Sequence, residues 1–191
     1  MKNVLIAVPF VVVFALVGCA GEGDSHEPAA STESSAAQHP ADGGVVEATA
    51  EIRPTEGNSL TGAASFRSQG GSVVMTLALQ NAPVGEHAFH LHQIGDCSAP
   101  DGTSAGGHWN PTGEEHGAWG SAPFHLGDVG NLVVGEDGSG SIELTTDLWS
   151  IGTGEDSDIV GRAVIVHAGA DDFTTQPTGA AGGRIGCGVI E

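Results

Sequence analysis

Residues 131–144 read Asn-Leu-Val-Val-Gly-Glu-Asp-Gly-Ser-Gly-Ser-Ile-Glu-Leu. Two apolar or alternating runs, Asn131–Val134 and Ser141–Leu144, flank a stretch of turn residues from Gly135 to Gly140. That pattern is a strand–turn–strand signal and predicts a hairpin. The same texture extends in both directions. Val45–Ile52, Ser59–Arg67, Val73–Leu79 and Glu86–His92 precede it as short strand-like runs, and Ile159–His167 and Arg184–Ile190 follow it. Glycine is abundant, with 31 residues, and aromatic residues make up only 5% of the chain. No long stretch of strong helix formers competes. Eight short strands predict an all-β fold, an eight-stranded Greek-key barrel or sandwich. Two segments, roughly 93–128 and 168–183, carry no strand pattern. Loops of that length in a compact domain are usually functional.

The chain has 191 residues, enough for one core-bearing domain and a tail. Lys2 is followed by an apolar run from Val4 to Val17, too short to span a membrane and interrupted by Pro9. The run ends in Leu16-Val17-Gly18-Cys19, which resembles the lipobox of bacterial lipoproteins, so Cys19 is expected to carry lipid and to anchor the protein to a membrane. The expected organisation is a lipoprotein signal peptide at 1–18, a flexible tether at 19–44 rich in Glu, Ser, Ala, Pro, Thr and Gly, and a folded domain at 45–191. His26 and His39 fall in the tether and read as solvated residues. The expected location is the bacterial cell envelope, on its periplasmic or extracellular face.

The charge is strongly negative: 24 acidic residues stand against 5 basic ones, for a formal net charge of −19. Lys2 is the single lysine; the arginines are Arg53, Arg67, Arg162 and Arg184. Nucleic acid and anionic membrane surfaces are therefore poor partners.

The chemistry begins in Phe89-His90-Leu91-His92. Residues two apart on a strand share a face, so His90 and His92 present two imidazoles to one point. His87 has the opposite parity and reads as a hydrogen-bonded core histidine. The first long loop adds His108, His116, His125 and Asp128, and His167 closes a later strand. Such ligands suit zinc or copper. Six histidines and an aspartate exceed one tetrahedral site, so either two metals bind or some side chains are spectators.

Gly85–Cys97 (Gly-Glu-His-Ala-Phe-His-Leu-His-Gln-Ile-Gly-Asp-Cys) resembles the first signature of copper/zinc superoxide dismutases. Gly106-Gly107-His108-Trp109-Asn110-Pro111, then His116, then His125-Leu126-Gly127-Asp128, is similar to that family's zinc loop. Gly179–Ile190 resembles its second signature. The resemblance covers roughly residues 45–190. It implies one copper ion per chain on His90, His92, His108 and His167, and one zinc ion on His108, His116, His125 and Asp128. His108 would bridge the two as an imidazolate. Asp171 matches a carboxylate linking a copper-side and a zinc-side histidine. Arg184 matches the arginine that holds the superoxide anion, and with His108 it is the expected catalytic pair. Cys97 and Cys187 match the family's disulfide, which needs an oxidising compartment. Cys97, five residues after His92, looks like the bacterial branch of the family. The loop from Ala168 to Gly183 has no lysine and is shorter than the eukaryotic one, so long-range steering of superoxide is expected to be weak. No motif decides between a monomer and a homodimer.

Overall fold

The computed structural model describes residues 44–191; the expected signal peptide, Cys19, His26, His39 and the expected tether as far as residue 43 lie outside the described residues. Eight strands form in chain order: β1 Glu47–Pro54, β2 Thr61–Gln69, β3 Ser72–Gln80, β4 Gly85–His92, β5 Gly130–Val134, β6 Gly140–Thr146, β7 Ala163–His167 and β8 Arg184–Val189. All ladders are antiparallel, and the strand order is β5-β4-β7-β8-β1-β2-β3-β6. β1 belongs to two sheets: most of it pairs with β2, while Arg53 and Pro54 pair with Cys187 and Gly186 of β8. The result is a nearly closed Greek-key barrel, as the strand pattern predicts.

Period-two alternation explains the first half of the barrel. β1 buries Ala48, Ala50 and Ile52, β2 buries Ala64 and Phe66, and β3 buries Val73, Met75, Leu77 and Leu79. β2 and β3 are joined by Gly70-Gly71 with φ of 59° and 87°. A two-residue hairpin turn with both residues left-handed matches the twist of the strands it joins, and glycine adopts it without strain.

The expected hairpin over 131–144 is only half realised. The turn forms, with the Gly135 amide donating to Ser139 O at 2.9 Å. Yet β5 pairs with β4 and β6 pairs with β3, at opposite ends of the strand order. The turn crosses the seam of the barrel rather than closing a ladder. Backbone approaches backbone there: a Cβ on Gly140 would stand 2.6 Å from Val133 O. The expected strand over 159–167 is also shorter, because residues 159–162 form a turn before β7, with Gly161 at φ 79°.

β4 and β7 break the alternation. His87–His92 and all of β7 are buried on both faces. Phe89, Leu91, Val164 and Val166 join the barrel core, while the opposite face is covered by the two long loops. The first loop continues β4's ladder: Leu91 N–H donates to Gly127 O at 2.9 Å, Trp109 N–H to Leu91 O at 2.8 Å, and Gly127 N–H to Trp109 O at 3.0 Å. A Cβ at Gly127 would overlap Leu91 O, so that docking requires glycine. The Trp149 indole N–H holds Leu126 O at 2.9 Å from the far side. Among the described residues no helix is long and apolar enough to cross a membrane.

Candidate metal centre

The histidines are placed by backbone first. Strand parity puts His90 and His92 on the outer face of β4, and an isolated antiparallel bridge sets His108 opposite His92. β7 pairs with β4 and delivers His167 to the same face at a bulge beyond Val166. One set of potential ligand atoms comes from His90, His92, His108 and His167, and a second from His108, His116, His125 and Asp128. Within each set the atoms lie within 4.8 Å of one another, and all seven residues are buried. His108 is common to both: its ring centroid is 4.0 Å from that of His90, and 5.3 and 5.6 Å from those of His116 and His125.

Hydrogen bonding fixes which nitrogen faces inward. The Gly106 carbonyl accepts from His92 Nδ1 at 2.9 Å, and Gly182 O from His167 Nδ1 at 3.3 Å. A carbonyl only accepts, so both protons sit on Nδ1 and both Nε2 lone pairs are free. Asp171 Oδ2 accepts from His90 Nε2 at 2.8 Å, which frees His90 Nδ1. Those three nitrogens and His108 Nε2 are buried and have no hydrogen-bond partner among the described residues. Buried polar atoms are almost always satisfied, so four orphaned lone pairs in one cluster fit a cation. Burial drives the pKa of His90 down to about 4, of His92 to about 2 and of His167 to about 3, so all three are neutral ligands at pH 7.

The second set is built around Asp128. Its Oδ1 lies 2.7 Å from His108 Nδ1 and 3.0 Å from His125 Nδ1, and its Oδ2 lies 3.0 Å from His116 Nδ1. Oδ2 also accepts the amides of His125 and Gly117 at 2.8 and 3.0 Å. Burial favours the neutral acid, but the His108 bond and these two amides outweigh it and hold Asp128 ionised, well below the usual range. Three imidazoles and one carboxylate make a closed four-ligand set, the kind that structural zinc takes.

Asp171 touches a histidine of each set. Its Oδ2 takes His90 Nε2 and its Oδ1 takes His116 Nε2 at 2.9 Å, with the carboxylate fully buried. Burial lowers the His116 pKa, but Asp171 and Asp128 together raise it above the ordinary value. His87 stays outside both sets, with its ring nitrogens 2.9 Å from His167 O and Pro83 O. Cys97 and Cys187 are bonded, with Cα atoms 5.8 Å apart, and tie the first loop to β8 beside Ala105, Ala163 and Ile165. Arg184 is half-buried and donates to Gly102 O and Gly106 O, each at 2.6 Å. No carboxylate lies within ion-pair distance of it among the described residues.

Several residues of the site were not singled out from sequence. Asn131 of β5 clamps Asp171 through both backbone groups, at 2.8 and 3.0 Å. Gln176 clamps His116 the same way. Gly179, at φ 65°, leaves the space that Asp171 and His116 fill: a Cβ there would overlap the Asp171 carboxylate. The positional glycine in the second signature was the one available signal; Asn131 and Gln176 carried none.

The family model described as copper/zinc superoxide dismutase matches residues 60–190. "Superoxide dismutase [Cu-Zn] 2" of Aquifex aeolicus is 34% identical over 148 residues, covering 76% of this chain and 86% of that protein. The chain belongs to the copper/zinc superoxide dismutase family. Solved structures of similar proteins agree with that membership. The clock protein EA4 is 36% identical with a TM-score of 0.67, covering 75% of this chain and 92% of that one. A SOD-like protein from Bacillus subtilis is 32% identical with a TM-score of 0.66, covering 74% and 96%. The family's two-metal description is matched here by two ligand sets sharing one histidine.

Proposed function

We propose that the chain dismutates superoxide, converting two superoxide ions and two protons to oxygen and hydrogen peroxide. His90, His92, His108 and His167 would hold copper, and His108, His116, His125 and Asp128 would hold zinc. Copper bound there supplies one-electron redox chemistry, while zinc, fixed in valence, supplies charge without it. The observation that carries this reading is the shared ring of His108, with Nε2 orphaned toward one set and Nδ1 engaged in the other. Family membership supports it.

The chain's own groups divide the remaining work. Arg184 uses two of its five N–H donors on carbonyls and keeps the rest, with an unneutralised charge, for an anion. His108 Nε2 is the atom at which a proton can be held and returned to peroxide. Asp171 fixes the tautomers of His90 and His116 at once. The disulfide keeps the loop that bears Gly102 and Gly106, and therefore Arg184's two acceptors, against β8.

The test is metal content with turnover. One copper and one zinc per purified chain, with superoxide consumption that a copper chelator abolishes, supports the reading; zinc alone without consumption overturns it. The second reading is a metal-binding relative without turnover, suggested by the SOD-like name of the Bacillus subtilis proteins. The complete four-nitrogen set and Arg184 favour the enzyme.

The lipobox pattern at Leu16–Cys19 supports a further part of the proposal, that Cys19 is acylated and holds the protein in the bacterial envelope. Incorporation of labelled palmitate that is lost in Cys19→Ser checks it; label retained in that variant refutes it.

A further inference from the structure

The second loop grips His116 at two places, and only one of them is a carboxylate. At the ring, Asp171 Oδ1 takes Nε2 at 2.9 Å. At the backbone, His116 N–H donates to Gln176 Oε1 at 2.9 Å, and Gln176 Nε2 donates to His116 O at 2.8 Å. This two-way amide pair joins residues 60 apart in sequence. It is the kind of pairing one strand makes with another, performed here by a side chain. The other members of the second set are held elsewhere: the His125 and Gly117 amides bond Asp128 within one loop, and His108 is bridged to His92 of β4. His116 alone borrows its backbone anchor from the segment between β7 and β8. That segment is itself a small closed hairpin, with Ala168 N–H to Gly183 O at 2.7 Å and Asp172 N–H to Gly179 O at 2.9 Å.

We infer that Gln176 is a positioning residue for the second ligand set, aiming His116 Nδ1 through its backbone and making zinc retention depend on the loop that borders Arg184. The inference rests on the assignment of zinc to that set. Partners that orient a metal ligand without touching the metal change affinity by about 10- to 100-fold. Gln176 is exposed, so the lower end applies.

The experiment uses the full chain loaded with copper and zinc, and measures zinc transfer to a chromophoric chelator alongside retained copper. Gln176→Ala is expected to weaken zinc retention about tenfold and to leave copper retention within about twofold. Gln176→Glu keeps the acceptor for His116 N–H, loses the donor, and is expected to fall between. Thr178→Ala, in the same loop, is expected to match the parent protein. Melting of the metal-free forms separates positioning from folding: all four proteins are expected to melt alike. Parallel loss of both metals, or a lowered melting temperature in metal-free Gln176→Ala, would show a merely structural role and overturn the inference. So would zinc retention in Gln176→Ala equal to that of the parent protein. A parent protein that binds no zinc at all would instead overturn the two-metal reading.

Discussion

Replacing Arg184 with alanine tests the chemistry most directly. The guanidinium is oriented by Gly102 O and Gly106 O at 2.6 Å each and has no carboxylate partner at ion-pair distance among the described residues. A charge-assisted hydrogen bond to an anion contributes about 1.5–3 kcal/mol, and tenfold in rate corresponds to about 1.4 kcal/mol. Arg184→Ala should therefore lower the second-order rate for superoxide roughly 10- to 150-fold. Salt sharpens the test. The formal net charge is −19, so long-range forces repel superoxide, and Arg184 supplies local attraction. Screening weakens both and leaves the parent rate nearly flat. Without Arg184 the local attraction falls to that of the metal site while the net repulsion stays, so the variant's rate should rise as salt is added. The measurement is superoxide decay by pulse radiolysis at 10 to 300 mM salt, on proteins matched for copper content. A rate within about threefold of the parent, or an unchanged salt profile, refutes the role given to Arg184.

Asp101 is the one acid among the described residues whose charge bears on Arg184's pKa, partly offsetting the lowering caused by burial. Its carboxylate is fixed by Thr103 N–H and Oγ1 at 3.0 and 2.7 Å, so Asp101→Asn should raise the rate about 1.5- to 2-fold at low salt, and no longer do so at high salt. Gly179→Ala places a Cβ on the Asp171 carboxylate and strains a backbone at φ 65°; denaturant unfolding should show a loss of about 2–4 kcal/mol. Opening the Cys97–Cys187 link, which closes a separation of 90 residues, should cost about 4–5 kcal/mol in the same assay on Cys97→Ser with Cys187→Ser. In the metal-free protein, burial holds His90 at about 4, His92 at about 2 and His167 at about 3, below the unfolded value near 6.5. Below pH 6.5 the unfolded chain takes up protons that these three refuse, so stability should be full above pH 6.5 and fall toward pH 4. His116 opposes this in part, since its pKa is raised. A flat stability profile over that range, read by calorimetry, would contradict the burial of these rings.

Strand parity was enough to separate His90 and His92 from His87, because a period of two leaves a side chain only two faces to choose from. It was enough to count eight strands as well. It was not enough to pair them. Residues 131–144 look like a hairpin because turn chemistry is local, whereas the partners of β5 and β6 are chosen by barrel closure across the whole chain. The candidate ligands were legible since imidazoles and a carboxylate in that strand parity and loop spacing are uncommon without a task. Backbone acceptors were not, since every residue has a carbonyl and only the fold says which one is used.

Gly106 shows what that hides. Its carbonyl accepts from His92 Nδ1 at 2.9 Å and from Arg184 Nη2 at 2.6 Å. One oxygen thus sets the tautomer of His92, proposed to hold copper, and the aim of Arg184, proposed to hold the anion. Gly106 sits at φ 73°, a left-handed backbone that glycine adopts without strain and a side-chain-bearing residue does not, so glycine lets the carbonyl point this way. On the proposed function, a glycine two residues before His108 therefore couples the ligand geometry to substrate capture. Any shift of this segment moves both together, which is why the disulfide that holds the segment against β8 belongs to the chemistry as much as to the fold.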